Sequence, residues 1–304
     1  MKKVSIVIPT YKRPDFLERA INSVLNQDYG NFEIIVIDDN GQGTIEQIKT
    51  HQVIKKYTNL INFKYIAHEK NLNGSCARNT GIKNSSGDYI CFLDDDDQFM
   101  KNKISKQVKL LEKQDEKWGA CYTGNTRIYP TGTKFKHIPK KRGNLYFEIL
   151  ASKVDLCAGS TLMIKREVID KIGYFDESFD RHQDIEFILR ISRYYKIDVE
   201  MNSLVNIFMH PASNRSKNAE QFEERKKYFL TKFNTSIKIL PKNKQWDILF
   251  IHNIDIAKQY FKQKNLKKGL SYIKASGKPL KGIYRIILDT TRYYFRQMLI
   301  KMGR

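Results

Sequence analysis

The fold is decided by the stretch Val4-Ser5-Ile6-Val7-Ile8-Pro9-Thr10-Tyr11, close to the amino terminus. Its first five residues are apolar or small on both faces, which is typical of a buried strand in a parallel sheet. Pro14 followed by Asp15 then predicts the start of a helix. The stretch therefore predicts a strand, a loop and a helix in that order.

This alternation continues along the chain. In the first hundred residues we predict strands at 4–8, 32–37, 62–67 and 89–93, and helices at 14–27, 44–57 and around Gly81. Beyond them we predict strands at 120–129 and 159–164, a helix at 184–195, a helix cap at Gly173, and helices at 221–240, 245–264, 266–275 and 281–301. The pattern predicts an α/β fold whose sheet is flanked by helices and whose ligand site lies at the carboxyl ends of its strands.

Composition limits the class of protein. With 304 residues, 41% of them hydrophobic, the chain can bury the core of one large domain plus a smaller extension. Four scattered cysteines without a Cys-x-x-Cys pair argue against a disulfide framework and a zinc ribbon, so we expect reduced thiols. The amino terminus lacks a signal-peptide pattern, and no run approaches the roughly 20 apolar residues of a membrane span. We therefore expect a cytoplasmic protein.

Positive charge is concentrated in the last third of the chain. Residues 201–304 hold 22 Lys+Arg and 6 Asp+Glu, a difference of +16 out of the total of +21. On charge alone, nucleic acid and an anionic bilayer are both possible partners, and a solvated helical face is the alternative. Residues 281–301 interleave apolar and basic residues, which suits an anionic membrane surface, although the same helix could pack on the preceding ones.

The most informative polar segment is Asp94-Asp95-Asp96-Asp97, which ends a predicted strand. Four adjacent carboxylates repel one another unless a cation or basic residues neutralise them. A hard ion carrying a diphosphate, Mg²⁺ or Mn²⁺, is the simplest answer. The alternative is a solvated acidic turn that caps the next helix.

Taken together, the motifs resemble family 2 glycosyltransferases over roughly residues 3–215. The resemblance rests on residues 4–11, Ile35-Val36-Ile37-Asp38-Asp39-Asn40, Asn71-Leu72-Asn73-Gly74, Ala77-Arg78-Asn79, Gly87-Asp88-Tyr89-Ile90, Phe92-Leu93-Asp94-Asp95-Asp96, Gly173-Tyr174-Phe175-Asp176-Glu177 and Gln183-Asp184. It implies a GT-A-like nucleotide-binding sheet in a catalytic domain at 1–215, with a nucleotide-binding half at 1–100 and an acceptor-binding half at 101–215. A basic helical C-terminal extension, 216–304, would follow.

The resemblance also implies a donor site. Pro9, Thr10 and Tyr11 would border the nucleotide base, and Asp39 would accept a hydrogen bond from uracil or its counterpart. Arg13, Asn71, Asp94 and Asp95 would also contact the donor, with Asp94 towards the ribose. Arg78 would approach the base or diphosphate, unless it forms only a surface ion pair.

Three further roles follow from the resemblance. Asp96 would bind Mn²⁺ or Mg²⁺, with Asp95 or Asp97 able to share the task, and His210 would complete the metal site unless it is structural. Asp184 would be the catalytic base, unless it only caps its helix; Gln183 departs from the glutamate usual at that position. Arg215 and Ser216 would lie in a loop that folds over the donor.

The resemblance implies an inverting, metal-dependent glycosyltransferase. It would use a nucleotide-sugar, with UDP-sugars favoured, and a glycan or lipid-linked acceptor in polysaccharide or capsule synthesis, as a peripheral protein on the inner face of the membrane. A nucleotidyltransferase is a second reading, but the loop after the first strand lacks glycine. A nonenzymatic nucleic-acid-binding module is a third, but no recognition helix is apparent, so we expect no nucleic-acid partner.

Overall fold

A computed structural model of the chain describes residues 1–154, 156, 158–179, 183–210 and 218–301. By their contacts, these residues form two compact units. The first spans 1–128, 134–146 and 155–208, and the second spans 129–133, 147–154 and 209–304. The division into domains at residue 215 stays a prediction.

The first unit is built on a mixed sheet. Its strands are β1 (Val4–Thr10), β2 (Phe32–Asp38), β3 (Phe63–Ala67), β4 (Tyr89–Phe92), β5 (Gln98–Phe99), β6 (Trp118–Ile128), β7 (Lys134–His137), β8 (Met163–Lys165) and β9 (Lys196–Phe208). Its helices are α1 (Pro14–Leu25), α2 (Ile45–Ile54), α3 (Gly74–Lys83), α4 (Lys103–Glu112), α5 (Tyr146–Leu150, which continues into the second unit), α6 (Ala158–Thr161), α7 (Arg166–Ile172) and α8 (Gln183–Tyr194). The predicted α/β class is confirmed.

Strand order places the first loops together. The order is β3-β2-β1-β4-β8-β6-β9-β5, with β7 paired to β6. The first four of these strands are parallel, and Val4 is in register with both Phe32 and Tyr89. Because parallel strands end at the same edge, the segments after β1, β2 and β4 converge there. The core beneath them is apolar on both faces, as Ile6, Val7 and Ile8 are fully buried.

The second unit is helical. It contains α9 (Ala219–Lys232), α10 (Asn234–Lys238), α11 (Lys242–Lys262), α12 (Leu266–Ala275) and α13 (Pro279–Lys301). A small core of Ala219, Ile256 and Tyr260 joins α9 to α11. Within the described part of the chain, no helix has the length and apolarity needed to cross a bilayer.

Several predicted elements need correction. The strand predicted at 159–164 is wrong: α6 occupies its first half, because Gly159 and Ser160 turn towards the acidic run, and only β8 is extended. The helix predicted at 221–240 is divided at Phe233. The long strand β9 was not predicted, whereas the cap at Gly173, with a φ of 84°, is confirmed.

Candidate active site

The four aspartates after β4 fall into two classes. Asp95 and Asp97 are buried, with 4% and 5% of their surface exposed. The side chains of Asp94 and Asp96 are 39% and 14% exposed. Alternate residues of the run therefore face the interior and the solvent-accessible side.

The buried pair is bound by hydroxyl groups. Thr10 donates a hydrogen bond of 2.8 Å to Asp95 Oδ2, and Ser160 donates one of 2.5 Å to Asp97 Oδ2. Burial raises the pKa of Asp95 to about 7. Burial, together with the nearby charge of Asp94, also raises the pKa of Asp97 well above its ordinary value. These two shifts remove part of the negative charge that four carboxylates would otherwise carry.

Arginines neutralise the accessible pair. Arg13 Nη1 lies 2.5 Å from Asp96 Oδ2 and 3.3 Å from Asp95 Oδ1. Arg78 Nη2 lies 2.7 Å from Asp94 Oδ1. With Thr10, the structure thus brings together six of the predicted site residues, and Arg13 and Arg78 supply basic groups to the acidic run.

A second network surrounds Asp39, which is only 3% exposed. Its Oδ1 accepts a hydrogen bond from the Leu72 amide and lies 2.8 Å from His68 Nδ1. Its Oδ2 accepts hydrogen bonds from Asn71 Nδ2 at 2.8 Å and from the Asn73 amide at 3.0 Å. Four partners use the lone pairs of the carboxylate. The contact of Asp39 with the base stays a prediction, and the structure adds a role in holding the 71–73 loop.

Asn73 connects that loop to α3. Its φ of 87° and ψ of 166° lie in a region that residues other than glycine rarely adopt. Its side chain accepts hydrogen bonds from the amides of Ser75 and Cys76, which caps the helix. The cap fixes the start of the helix that carries Arg78, whose Nη1 donates to the Gly74 carbonyl at 3.1 Å.

The start of α8 lies against the start of α3. A Cβ atom on Gly74 would come within 3.3 Å of Gln183 Nε2. Phe187 of α8 stacks on Phe175 with a centroid distance of 4.0 Å, and Phe175 contacts Phe92 of β4 at 5.2 Å. Asp184 is in the first turn of α8, so this packing sets its position relative to the acidic run.

The loop after β1 presents an accessible aromatic ring. Pro9 and Thr10 end β1, and Tyr11 is 41% exposed. Lys12 has a positive φ of 57°, and its amide donates a 2.6 Å hydrogen bond to Asn40 Oδ1. The loop is therefore fixed from both sides while the Tyr11 ring remains open to a ligand.

The accessible carboxylates of the acidic run bear on the predicted metal. Over the described ranges, no group of three or more His, Cys, Asp or Glu side chains is arranged to hold an ion. Mg²⁺ and Mn²⁺ sites on diphosphates commonly use one or two carboxylates, with phosphate and water completing the shell. Asp96 and Asp94 could serve such a site only together with a diphosphate, and the metal role of Asp96 stays a prediction. His210 belongs to the second unit and its metal role stays a prediction, while Arg215 and Ser216 lie outside the described residues.

Sequence reasoning missed Gly159 and Ser160, which contact the acidic run, and His68, which contacts Asp39. A Cβ atom on Gly159 would lie 2.7 Å from Asp94 Oδ2, and Ser160 accepts a hydrogen bond from the Asp94 amide while donating one to Asp97. They are more than 60 residues from the acidic run in sequence. The one signal in the sequence is that Gly159 and Ser160 are both small and precede an apolar run.

Comparison with known proteins gives a family and its relatives. The sequence model described as Glycosyl transferase family 2 matches residues 5–173. An uncharacterised glycosyltransferase of Rickettsia conorii is 31% identical over 227 residues, 73% of this chain and 36% of the relative, so the chain spans about a third of that protein. TarP of Staphylococcus aureus, a poly(ribitol-phosphate) beta-N-acetylglucosaminyltransferase, is 32% identical, covering 73% of this chain and 69% of TarP. The amylovoran biosynthesis glycosyltransferase AmsB of Erwinia amylovora is 32% identical, covering 62% and 64%.

Two solved structures share the fold. S. aureus TarS 1-349 in complex with UDP-GlcNAc superimposes with a TM-score of 0.61 at 19% identity, covering 90% of this chain and 81% of TarS 1-349. The mannosyltransferase PcManGT of Pyrobaculum calidifontis, in complex with GDP-Man and Mn²⁺, gives a TM-score of 0.60 at 14% identity, covering 99% and 83%. At these identities the likeness shows the fold alone, which is the predicted GT-A type.

Proposed function

This chain belongs to the family 2 glycosyltransferases, and we propose that it moves a sugar from a nucleotide-sugar to a hydroxyl group with inversion of configuration. One observation carries the proposal. The two accessible carboxylates, Asp94 and Asp96, lie beside two guanidinium groups, at the edge of the sheet where ligands bind. The helix that holds the predicted base starts against the start of α3, the helix that carries Arg78.

The donor we propose is a UDP-sugar. Arg13 and Arg78 present planar forks that suit the oxygen atoms of a diphosphate. The exposed ring of Tyr11 can stack on a base, and Asp94 would accept hydrogen bonds from the ribose. The UDP-GlcNAc bound to S. aureus TarS and the GDP-Man bound to PcManGT support a nucleotide-sugar as the ligand of this fold.

A divalent ion is part of the proposal. Asp96 would hold Mn²⁺ or Mg²⁺, and the contribution of His210 stays a prediction. The ion, when bound, supplies positive charge to the departing diphosphate. The Mn²⁺ in the PcManGT complex supports this choice.

The protein's own residues account for the remaining chemistry. The carboxylate of Asp184 accepts the proton of the acceptor hydroxyl as its oxygen attacks the anomeric carbon. The bond from that carbon to the diphosphate oxygen breaks on the opposite face, so the configuration inverts and the nucleoside diphosphate leaves. Arg13 and Arg78 stabilise the developing negative charge. Gln183 cannot take up the proton, so Asp184 is the member of this pair that we propose as the base.

For the acceptor, we propose a glycan or lipid-linked glycan of a cell-surface polysaccharide. The names of two relatives, for amylovoran biosynthesis and for poly(ribitol-phosphate) glycosylation, support this class of acceptor. A lipid-linked acceptor would place the enzyme at the inner face of the membrane as a peripheral protein.

A donor screen tests the reaction class. The chain is incubated with a panel of nucleotide-sugars and Mn²⁺, and released nucleotide and thermal stabilisation are measured. We expect one nucleotide class to stabilise the chain and to be slowly hydrolysed. Neither effect with any donor of the panel would contradict the proposal.

Two variants test the assigned roles. Asp96→Ala should abolish Mn²⁺-dependent donor binding. Asp184→Asn should leave donor binding intact and lower transfer by roughly 10²–10⁴-fold. Asp170→Asn, an exposed aspartate on α7, is the matched control and should change neither. Full transfer by Asp184→Asn would show that another group is the base.

A further inference from the structure

Helix α13 carries a row of exposed apolar side chains that is interrupted once, at Thr291. On either side of that residue the spacing is helical, which places them on one face of the helix. The row, which we call the α13 stripe, consists of Leu280, Ile283, Tyr284, Ile287, Leu288, Tyr294, Phe295 and Met298, each between 37% and 83% exposed. Contiguous apolar surface of this kind on a folded protein marks an interaction site.

The opposite face of α13 holds the helix in place. A Cβ atom on Gly282 would come within 2.5 Å of Ile254 Cδ1, so α13 crosses α11 closely at this glycine. Asp289 pairs with Lys258 of α11, and Ile300 is buried. The α13 stripe is thus not needed for the packing of α13 on α11. The sequence had left open that these apolar residues pack on the preceding helices, and for the residues of the stripe this is wrong.

Positive charge borders the stripe. Lys281, Arg285, Arg292 and Arg296 follow one edge at helical spacing and are exposed or half-exposed. Along its whole length α13 has five Lys or Arg and one Asp, a net charge of +4. Asp289 also lies 3.8 Å from Arg285 Nε, so the charge beside the stripe is predominantly, not wholly, positive.

The other edge of the stripe carries one further basic residue, Lys262. It opens on a cavity of about 480 Å³ that is lined by residues of α11 and α13, including Lys262, Tyr293, Tyr294 and the ion pair of Lys258 with Asp289. The Lys262 ammonium lies 5.2 Å from the centre of the Tyr293 ring. Aromatic rings with basic groups beside them are typical of the boundary between acyl chains and headgroups.

We propose that the α13 stripe docks on an anionic membrane surface, with α13 lying in the plane of the interface. This deepens the proposed function and rests on it in one respect, since a lipid-linked acceptor would be met at that surface. The stripe would enter the acyl boundary, and the basic residues on its edges would contact anionic headgroups. A second copy of the chain packed on the stripe would place two helices of net charge +4 side by side, and nucleic acid would leave the apolar stripe exposed to water. A bilayer therefore fits the surface better than either.

Vesicle binding of the full chain tests the proposal without any donor, so the absence of glycosyl transfer cannot be mistaken for its failure. Flotation with phosphatidylcholine vesicles is compared with and without phosphatidylglycerol. We expect binding to the anionic vesicles that weakens as salt is added. Ile287→Glu should weaken it at least about tenfold, because a charge replaces a side chain that enters the apolar boundary.

The matched control is Ile239→Glu, the same substitution at a side chain that is 69% exposed, against 58% for Ile287. It lies outside α13 and should leave binding unchanged. Removing two edge charges with Lys281→Ala and Arg292→Ala should weaken binding by about fivefold per charge and reduce its salt dependence.

Two results would overturn the proposal. One is binding by Ile287→Glu equal to that of the control. The other is that the chain binds neither kind of vesicle but forms dimers, and that Ile287→Glu dissociates these dimers. The stripe would then be the contact with a second copy of the chain. Donor hydrolysis in solution, measured on the same variants, should be unaffected.

Discussion

Replacing Asp39 with asparagine should destabilise the free chain, before any donor is added. Each oxygen of this buried carboxylate accepts from two groups, one of which is a backbone amide. In Asp39→Asn, whichever way the new amide turns, its NH₂ group faces one of those backbone amides. Two hydrogen bonds to a charged acceptor are lost, each worth about 1.5–3 kcal/mol, so we expect a loss of about 4 kcal/mol.

Urea unfolding measures that loss, and for a chain of this size the melting temperature should fall by roughly 10 °C. Hydrogen exchange locates it, since the amides of Leu72 and Asn73 should lose their protection first. Asp170→Asn is the control for the change of charge. If Asp39→Asn weakened donor binding while stability and both amides stayed as in the parent chain, Asp39 would serve the base alone and the reasoning from its hydrogen bonds would be refuted.

Three other changes give measurable outcomes. Asn73→Ala should lower the unfolding free energy by about 2 kcal/mol, since it loses a helix cap at a strained φ, whereas Asn73→Gly relieves the strain and should cost much less; equal losses would contradict this. Gly159→Ala should impair donor binding more than stability, because its methyl group would lie 2.7 Å from Asp94 Oδ2; calorimetry with the donor, compared with unfolding, checks it. Burial lowers the pKa of His252 from 6.5 to about 4. As the pH falls, the unfolded chain therefore takes up a proton at this histidine before the folded chain does. The free energy of unfolding should be at its full value above pH 6.5 and fall by about 1.4 kcal/mol per pH unit towards pH 4. His252→Gln should remove that part of the pH dependence, and an unchanged profile would count against it.

The parallel half of the sheet could be predicted from sequence because its signals are local. The strand at Val4 is apolar on both faces, and the helix at Pro14 begins with its own start signal. The convergence of the following loops then follows from the geometry of parallel strands, and the contact of Thr10 with Asp95 confirms it.

The remaining features depend on contacts that are distant in sequence. Strand β9 is exposed at Met201 and Asn202 and is extended because it pairs with β6, which no local pattern indicates. The sequence also could not show which of the four aspartates face the accessible side, since four identical residues differ only in the side of the turn that each occupies. Ser160, from another part of the chain, helps to fix that turn.

The contact between Arg13 and Asp96 bears on the order in which ligands enter. A bare divalent ion would have to compete with a guanidinium group already on that carboxylate. An ion that arrives on a diphosphate brings an anion to which Arg13 can transfer. If Asp96 holds the ion as proposed, we expect the free enzyme to bind nucleotide and ion as one preformed complex rather than the ion alone.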